Sequence, residues 1–565
     1  KSDSERIEAI LQGLGFAPTD SEEEAELLGI VACSVRQKAI DKVYSRIHKW
    51  NRWKQDKSLL TFVSGCVLPA DREKFLDRFD LVFGINELSK LPDMLVNAGM
   101  VTPLTAGLTL SNPAGLVEMG EQIEGEELGR REAASARLRA KVAADMGLDD
   151  GGGAPSPDAP GADSRAPSLE TPASSATAGR APSLETAGRA PSPDAPGADS
   201  QAPSPDGEAT SGAPSPGGAL QQANAAERDL QIGEHHTRIA GTEYMQVQPK
   251  YSSDFEAYVP IQNGCDKFCT FCAVPYTRGR EASRPSQTIL AEVQSLVDRG
   301  YKSITLLGQN VNSYGLDRKG RGEEITFAEL LRRIGEMGRE AYERDGRQFW
   351  TYFTSPHPRD MTDEVLEVIA EYDCLANWIH LPIQSGDDKV LMKMNRAYNM
   401  DRYRSVVHSI RRILPEATLF TDIIVGFTGE TNEQFEKTRD AMREFGYNMA
   451  YIAMYSPRPG AASARWDDDV PHDEKKRRLH ELSAELQQIS GAYNEGLVGT
   501  ELEVLVDGTD RKPGYLSAKT EGKLIVRFAS EDESLIGSFA DVRITSASTL
   551  SLEGELVRVR EAATC

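Results

Sequence analysis

Apolar positions recur along the chain with two periods, and the period switches from one short stretch to the next. Residues 4–16 place Ile7, Ile10, Leu11 and Leu14 three and four apart, the stripe of an amphipathic helix that Gly13 and Gly15 end loosely. Residues 27–32 form a continuous apolar run of buried-strand type. The run delivers Cys33 to a strand end, with Ser34 placed to cap a helix over about 35–52. Residues 59–65 repeat the device and deliver Cys66; 81–84 reads as a third strand, with a helix near 86–98. Strand and helix in alternation predict a small α/β domain with a parallel sheet over 1–102. Ligands of such sheets gather outside the carboxyl ends of the strands, where Cys33 and Cys66 both fall. Two inert buried thiols are the plain alternative.

The periodicity stops between 103 and 250. Residues 116–146, rich in Glu, Arg and Ala, suit an exposed helix. From about 151 to 220 the chain is low in complexity: 154–164 recurs at 190–200, and 165–171 at 180–186. More than a third of the 30 prolines lie there, with almost no large apolar residue, so burial does not offset the entropy of ordering and a disordered linker is expected. His235-His236 near its end reads as a solvated pair.

Regular patterning returns from about 252. A helix at 287–298 is followed by strands at 303–307, 349–354, 377–383, 418–425 and 449–454, with helices near 361–371, 400–413 and 432–445. Repeated βα units over 251–495 predict an open or partial barrel with its chemistry at the carboxyl ends of the strands. The distinctive polar motifs sit there: Gly308-Gln309-Asn310-Val311-Asn312-Ser313-Tyr314-Gly315, Thr354-Ser355-Pro356-His357-Pro358, Gln384-Ser385-Gly386, Gly426-Phe427-Thr428-Gly429-Glu430 and Tyr455-Ser456-Pro457-Arg458-Pro459-Gly460. After a charged helix at 471–494, short strands at 502–506, 523–528 and 541–544 predict a small β-barrel over 496–560.

At 565 residues the chain holds several domains, and its net charge of −23 argues against a generally basic nucleic-acid coat while leaving room for a local basic groove. No apolar run approaches the roughly 18 residues of a membrane span. No signal peptide is visible at the opening Lys1-Ser2-Asp3-Ser4-Glu5, which lacks an initiator Met. Three of the seven cysteines fall within one stretch, Asn263-Gly264-Cys265-Asp266-Lys267-Phe268-Cys269-Thr270-Phe271-Cys272, spaced Cys-x3-Cys-x2-Cys. That usage suits a reducing cytoplasm and a metal site better than a disulfide scaffold. Three soft thiolates hold an iron–sulfur cubane and leave one iron without a protein ligand. Zinc is the competing metal, but zinc sites usually combine two separated ligand pairs, and no matching second pair follows.

This spacing resembles that of the radical S-adenosylmethionine (SAM) enzymes. The resemblance implies that Cys265, Cys269 and Cys272 are the catalytic set holding a [4Fe-4S] cluster, with Phe271 beside the bound cofactor. Cys33-Ser34-Val35-Arg36-Gln37-Lys38-Ala39, Ser64-Gly65-Cys66-Val67 and the motifs of 252–465 further resemble the methylthiotransferases, over roughly 1–100 and 252–560. That family implies a second, auxiliary [4Fe-4S] cluster on Cys33, Cys66 and a third cysteine expected upstream of Lys1; neither Cys374 nor Cys565 has the context to replace it. It implies Gln309, Gln384 and Ser385 near S-adenosylmethionine, and Asp422 and Glu430 shaping the site. Arg278, Arg280 and Arg284 are candidates to offset cofactor or RNA phosphate charge, or else surface ion pairs. The final barrel resembles the TRAM domain, an RNA-binding module; with more acids than bases there, phosphate binding calls for a local cluster such as Arg511, Lys512, Lys519, Lys523 and Arg527. Motifs 306–315 and 33–36 are most similar to the branch that adds a methylthio group to carbon 2 of N6-(dimethylallyl)adenosine in tRNA. Sibling branches act on threonylcarbamoyl-adenosine or on a ribosomal-protein aspartate, and a non-catalytic RNA-binding homologue is the alternative outside the enzyme class. A flavodoxin- or ferredoxin-type electron donor, a cytoplasmic location and a monomer complete the expectation.

Overall fold

A computed structural model describes residues 1–33, 37–101, 242–318 and 324–560. All of them belong to one compact unit, Lys1–Ala140 with His235–Cys565. Ser34 and its expected cap, the helix expected over 116–146, the linker, His235-His236 and Cys565 lie outside the described residues.

The N-terminal α/β domain runs α1 (Ser2–Gly13), β1 (Leu27–Cys33), α2 (Gln37–Trp53), β2 (Leu60–Cys66), α3 (Pro69–Leu76), β3 (Leu81–Val82) and α4 (Leu91–Asn97), the expected order with one helix, α3, that was not expected. The sheet runs β1-β2-β3, all parallel, and Cys33 is the register partner of Cys66. The helix expected near 86–98 is two pieces, a 3-10 turn Ile85–Lys90 and then α4. Pro92 explains the break: without an N–H it fits the first turn of a helix and not its interior.

The middle domain contains β4 (Glu256–Pro260), β5 (Gln262–Asn263), α5 (Val274–Arg278), β6 (Ala282–Ser283), α6 (Ser286–Asp298), β7 (Ser303–Leu307), α7 (Phe327–Asp345), β8 (Trp350–Phe353), α8 (Asp363–Glu371), β9 (Trp378–His380), α9 (Asp388–Lys393), α10 (Met400–Ile413), β10 (Thr418–Val425), α11 (Asn432–Phe445), β11 (Met449–Met454) and α12 (His472–Glu495). Two parallel sheets, β4-β7-β8 and β9-β10-β11, are joined by a bridge between Thr351 and Leu375, giving a six-stranded partial barrel open at β11. Alternation along each strand decides the layers. Ala257, Val259, Ile304, Leu306, Ile379, Leu419 and Ile423 face out into the main core with the helices. Trp350, Tyr352, Trp378 and Phe420 form a separate apolar group on the inner side.

The C-terminal barrel closes in the order β12-β13-β14-β16-β15, from β12 (Glu501–Thr509), β13 (Tyr515–Thr520), β14 (Ile525–Ala529), β15 (Phe539–Ala547) and β16 (Leu552–Arg560). It caps the amino end of the larger barrel. Phe539 meets Trp350 edge-on at 4.7 Å, Leu505 joins the same inner cluster, and the Glu521 carboxylate accepts from the Asn377 backbone N–H.

Candidate active site

All the loops at the carboxyl ends of the six strands lie on one face, and the cysteine loop leads from β4. Its base is fastened by the β5–β6 pair, which aligns Gln262 with Ser283 and Asn263 with Ala282. Gly264 turns there at φ +77, and a Cβ would stand 2.0 Å from the Arg280 carbonyl oxygen. The turn lets the Cys265 N–H reach the Gly279 carbonyl at 3.2 Å, and the Cys272 N–H donates to the Cys269 carbonyl at 3.0 Å. From the outside, 393–396 holds the loop. The Thr270 N–H donates to the Met394 carbonyl, and Asn395 Nδ2 to the Lys267 and Phe268 carbonyls.

The donors aimed at sulfur match a thiolate-held cluster. Arg396 Nη1 lies 3.4 Å from Cys269 Sγ, and the Val274 N–H donates to Cys272 Sγ at 3.5 Å. Without a metal charge, burial and the neighbouring thiols push Cys265 up to about 12; a bound metal removes such a proton outright. Around the same face, buried Gln309 Oε1, Asn310 Oδ1, His357 Nε2 and Thr428 Oγ1 have no hydrogen-bond partner among the described residues. Buried polar atoms are rarely left so unless a ligand completes them, so the donor set and its surroundings fit a cluster with a polar cofactor. Among the described residues no three Cys, His, Asp or Glu side chains are grouped for a single metal ion.

Several expected residues are placed here in specific ways. Phe271 packs beside Phe427 at 6.5 Å in a small apolar group with Met394 and Tyr455. Gln384 adopts φ +68, bonded through its backbone to Asp422 and Ile424. The Ser385 hydroxyl turns instead to Thr438 on α11, at 3.4 Å. Glu430 is buried: its carboxylate accepts from the Gly426 N–H and pairs with Arg478 at 2.7 Å, so it fixes the loop after β10. Asp422 stands on the inner wall, 3.1 Å from His380 Nε2.

Sequence reasoning missed Arg396, the Lys267–Asp360 pair at 2.5 Å that ties the cluster loop to the loop after β8, and His380. Arg396 stands in no motif; its role exists only because the turn after α9 brings it to Cys269.

Cys33 and Cys66 end neighbouring strands as Cα partners, and Gly65 between them and the sheet sits at φ +106. Cys66 Sγ accepts from Arg278 Nε at 3.1 Å. The same guanidinium meets Asp3 at 2.6 Å, the Tyr244 hydroxyl at 3.3 Å and Asn263 Oδ1 at 3.2 Å. Arg278 is therefore neither a phosphate clamp nor a surface ion pair: it links the loop after one cysteine site to a thiol of the other. Arg284 is buried against Glu292 at 2.5 Å and is likewise withdrawn from any phosphate. Arg280 is exposed, paired with Asp266 and set over the Phe268 ring. Cys374 lies on the far side of the barrel wall against the Ile334 and Gly335 carbonyls.

The basic cluster expected on the C-terminal barrel is not available as one. Lys512 pairs with Glu553, Lys519 with Asp507, and Arg527 stands 4.0 Å from Asp510. Lys523 turns inward over the Tyr352 and Trp378 rings at 4.1 and 4.5 Å. The acidic barrel surface pairs most of its bases one by one; Arg511 stays exposed, and Lys523 is carried to the seam.

Comparison with known proteins gives three matches along the chain: the Radical SAM superfamily at 259–442, Uncharacterized protein family UPF0004 at 1–84, and the TRAM domain at 496–557. A tRNA-2-methylthio-N(6)-dimethylallyladenosine synthase of Symbiobacterium thermophilum is 44% identical over 321 residues, 56% of this chain and 67% of that protein. One from Clostridium botulinum (strain Hall) is 43% identical over 327 residues, 58% and 69% of the two chains. Among solved structures, coproporphyrinogen III oxidase from Escherichia coli aligns with a TM-score of 0.31 at 17% identity, over 51% of this chain and 66% of that one. By these sequence matches, the chain belongs to the family of the tRNA-2-methylthio-N(6)-dimethylallyladenosine synthases, within the radical SAM superfamily.

Proposed function

We infer that this chain is a tRNA methylthiotransferase, adding a methylthio group to carbon 2 of N6-(dimethylallyl)adenosine next to the anticodon. The observation that carries it is the loop of Cys265, Cys269 and Cys272 at the carboxyl end of a partial barrel, in a chain 44% identical to a synthase of that name. The [4Fe-4S] cluster and S-adenosylmethionine, when bound, supply the one-electron chemistry that side-chain acids and bases lack for a strong aromatic C–H bond.

The chain's own residues bind and orient. Gly264 and the β5–β6 pair set the thiols, and Arg396 directs Cys269 while its Nη2 is anchored on the Pro382 carbonyl. Gln309 Oε1 and Asn310 Oδ1 offer buried acceptors for the donor groups of S-adenosylmethionine. Phe271, Phe427 and Tyr455 pack together as an apolar group beside the cysteine loop. Burial, with the Arg396 guanidinium beside it, pushes the His357 imidazole well below its usual pKa and favours the neutral ring, which adds no charge against a cationic cofactor.

The reading extends to a second [4Fe-4S] cluster on Cys33, Cys66 and a cysteine preceding Lys1, supported by the paired strand ends and the Arg278 donor. It also includes a flavodoxin- or ferredoxin-type donor, a monomer and a cytoplasmic location, where tRNA is modified. Mass spectrometry of tRNA nucleosides from cells with and without the gene tests the function. Loss of the methylthio-prenyl adenosine with build-up of its unthiolated precursor is expected. Loss of methylthio-threonylcarbamoyl adenosine instead would move the activity to the sibling branch, and no nucleoside change would point to a protein substrate or to a non-catalytic RNA binder.

A further inference from the structure

A cavity of about 310 Å³ opens where the free edge of the partial barrel meets the C-terminal barrel. It lies near the amino ends of β9, β10 and β11, away from the cysteine loop. From the larger barrel come Trp378, Phe420, Met449 and Tyr451; from the smaller come Lys519, Lys523, Ile525 and Leu550. The volume is at the low end for ligand pockets, the size of one nucleotide.

Three features point to an absent occupant. Trp378 is only 6% exposed, and its indole Nε1 has no acceptor among the described residues. Lys523 is held at φ +58, a conformation that L side chains rarely adopt, with its ammonium over two aromatic rings. Among the described residues no carboxylate forms an ion pair with it, while Lys519 repels it and only Glu256 attracts it from a distance. At the rim, three large side chains face solvent together: Tyr451 at 54%, Leu550 at 54% and Ile525 at 38%. A flat apolar wall, an unused N–H donor and a cation lacking an anion are together the complement of a base with its phosphate.

We propose that this cavity receives one nucleotide of the substrate tRNA other than the one modified, its base against Tyr451 and Trp378 and its phosphate on Lys523. The site rests on the tRNA reading above and deepens it: the C-terminal barrel grips RNA through the seam it forms with the larger barrel, not through a basic outer face. Tyr451 is four residues before the loop at Tyr455, about 13 Å along an extended strand. The RNA therefore spans the open edge, with one nucleotide at the cysteine face and another at the seam.

The test is the affinity of a labelled anticodon stem-loop carrying N6-(dimethylallyl)adenosine, measured against salt, for wild type, Tyr451→Ala, Lys523→Met and Lys523→Arg. Loss of the stack weakens binding roughly tenfold in Tyr451→Ala. Lys523→Met flattens the slope of log affinity against log salt by about 0.7–0.9, the share of one phosphate contact, and Lys523→Arg restores it. S-adenosylmethionine cleavage without RNA stays at the wild-type rate in all four. Leu550→Asp, at the exposed rim where folding is not at stake, weakens binding as well. Wild-type affinity and slope in Tyr451→Ala, Lys523→Met and Leu550→Asp overturn the proposal and leave the tRNA reading standing. A wild-type protein that neither binds nor modifies the RNA removes both.

Discussion

The Arg278 guanidinium is divided among Cys66 Sγ, Asp3, the Tyr244 hydroxyl and Asn263 Oδ1, four partners brought from three stretches of chain. It is nearly buried, and the carboxylate of Asp3 and the thiol of Cys66 hold it charged against the cost of burial. A hydrogen bond to a ligating sulfur stabilises the thiolate, and partners of this kind are worth about 10- to 100-fold in metal affinity. Arg278→Met keeps the apolar stem and removes the donor. In a background of Cys265→Ala, Cys269→Ala and Cys272→Ala, which leaves only the proposed second site at Cys33 and Cys66, the expected result is iron bound roughly 10- to 100-fold more weakly. The residual cluster should also show a lower reduction potential by electron paramagnetic resonance titration. Arg278→Lys should recover only part of the effect, because a lysine ammonium is not a planar fork.

At the scale of elements, the cysteine loop depends on a turn that admits no side chain. Gly264→Ala puts a methyl group on the Arg280 carbonyl oxygen and asks alanine for φ +77. Strain of that kind costs about 1–3 kcal/mol, and it falls on the loop alone because the barrel strands are fastened by their own ladders. The expected variant melts as wild type does and loses most of its radical-cluster iron and its S-adenosylmethionine cleavage, measured by iron assay and product chromatography. The loop itself was legible in sequence, because three cysteines at fixed spacing have few other uses, and so were the strands that continuous Val, Ile and Leu runs announce. Helix α7 was not. Its buried face carries Gly335 and Gly338, where the Tyr372 ring and Cys374 fill the space, so two of its core positions look like breakers. β13 and β16 were missed for a related reason: their outward positions carry Ser517 and Lys519 in one and Glu553, Arg558 and Arg560 in the other, over only half-apolar interiors. The contacts of Arg278 and Lys523 carry no sequence signal at all, since each is made with residues far along the chain.

For the whole molecule, the two barrels share one apolar junction. Phe539 is 4% exposed and set edge-on against Trp350, so Phe539→Ala should cost about 3–5 kcal/mol in chemical denaturation. It should weaken RNA binding more than S-adenosylmethionine cleavage. The seam also has a pH signature. Burial, with Lys519 beside it, lowers the pKa of Lys523 from 10.5 to about 8. Its cation is therefore present below pH 8 and lost as pH rises through that value, and RNA affinity should fall across the same interval; Lys523→Arg should flatten the profile. For folding the sign is opposite. The unfolded lysine keeps its proton up to about 10.5, so the fold gains stability from this group between pH 8 and 10.5.

The residues that flank 102–241 are held in one apolar cluster, Val101 and Leu95 on one side and Tyr244 and Met245 on the other. Tyr244 also touches Arg278. Chain length at this junction is therefore decoupled from chemistry. Each doubling of the length of a connection adds only about 0.6 kcal/mol of closure entropy, while the ends stay where the hydrophobic cluster puts them. With both flanks fixed by that cluster, this interval is the natural place to graft a tag or a foreign domain onto the enzyme.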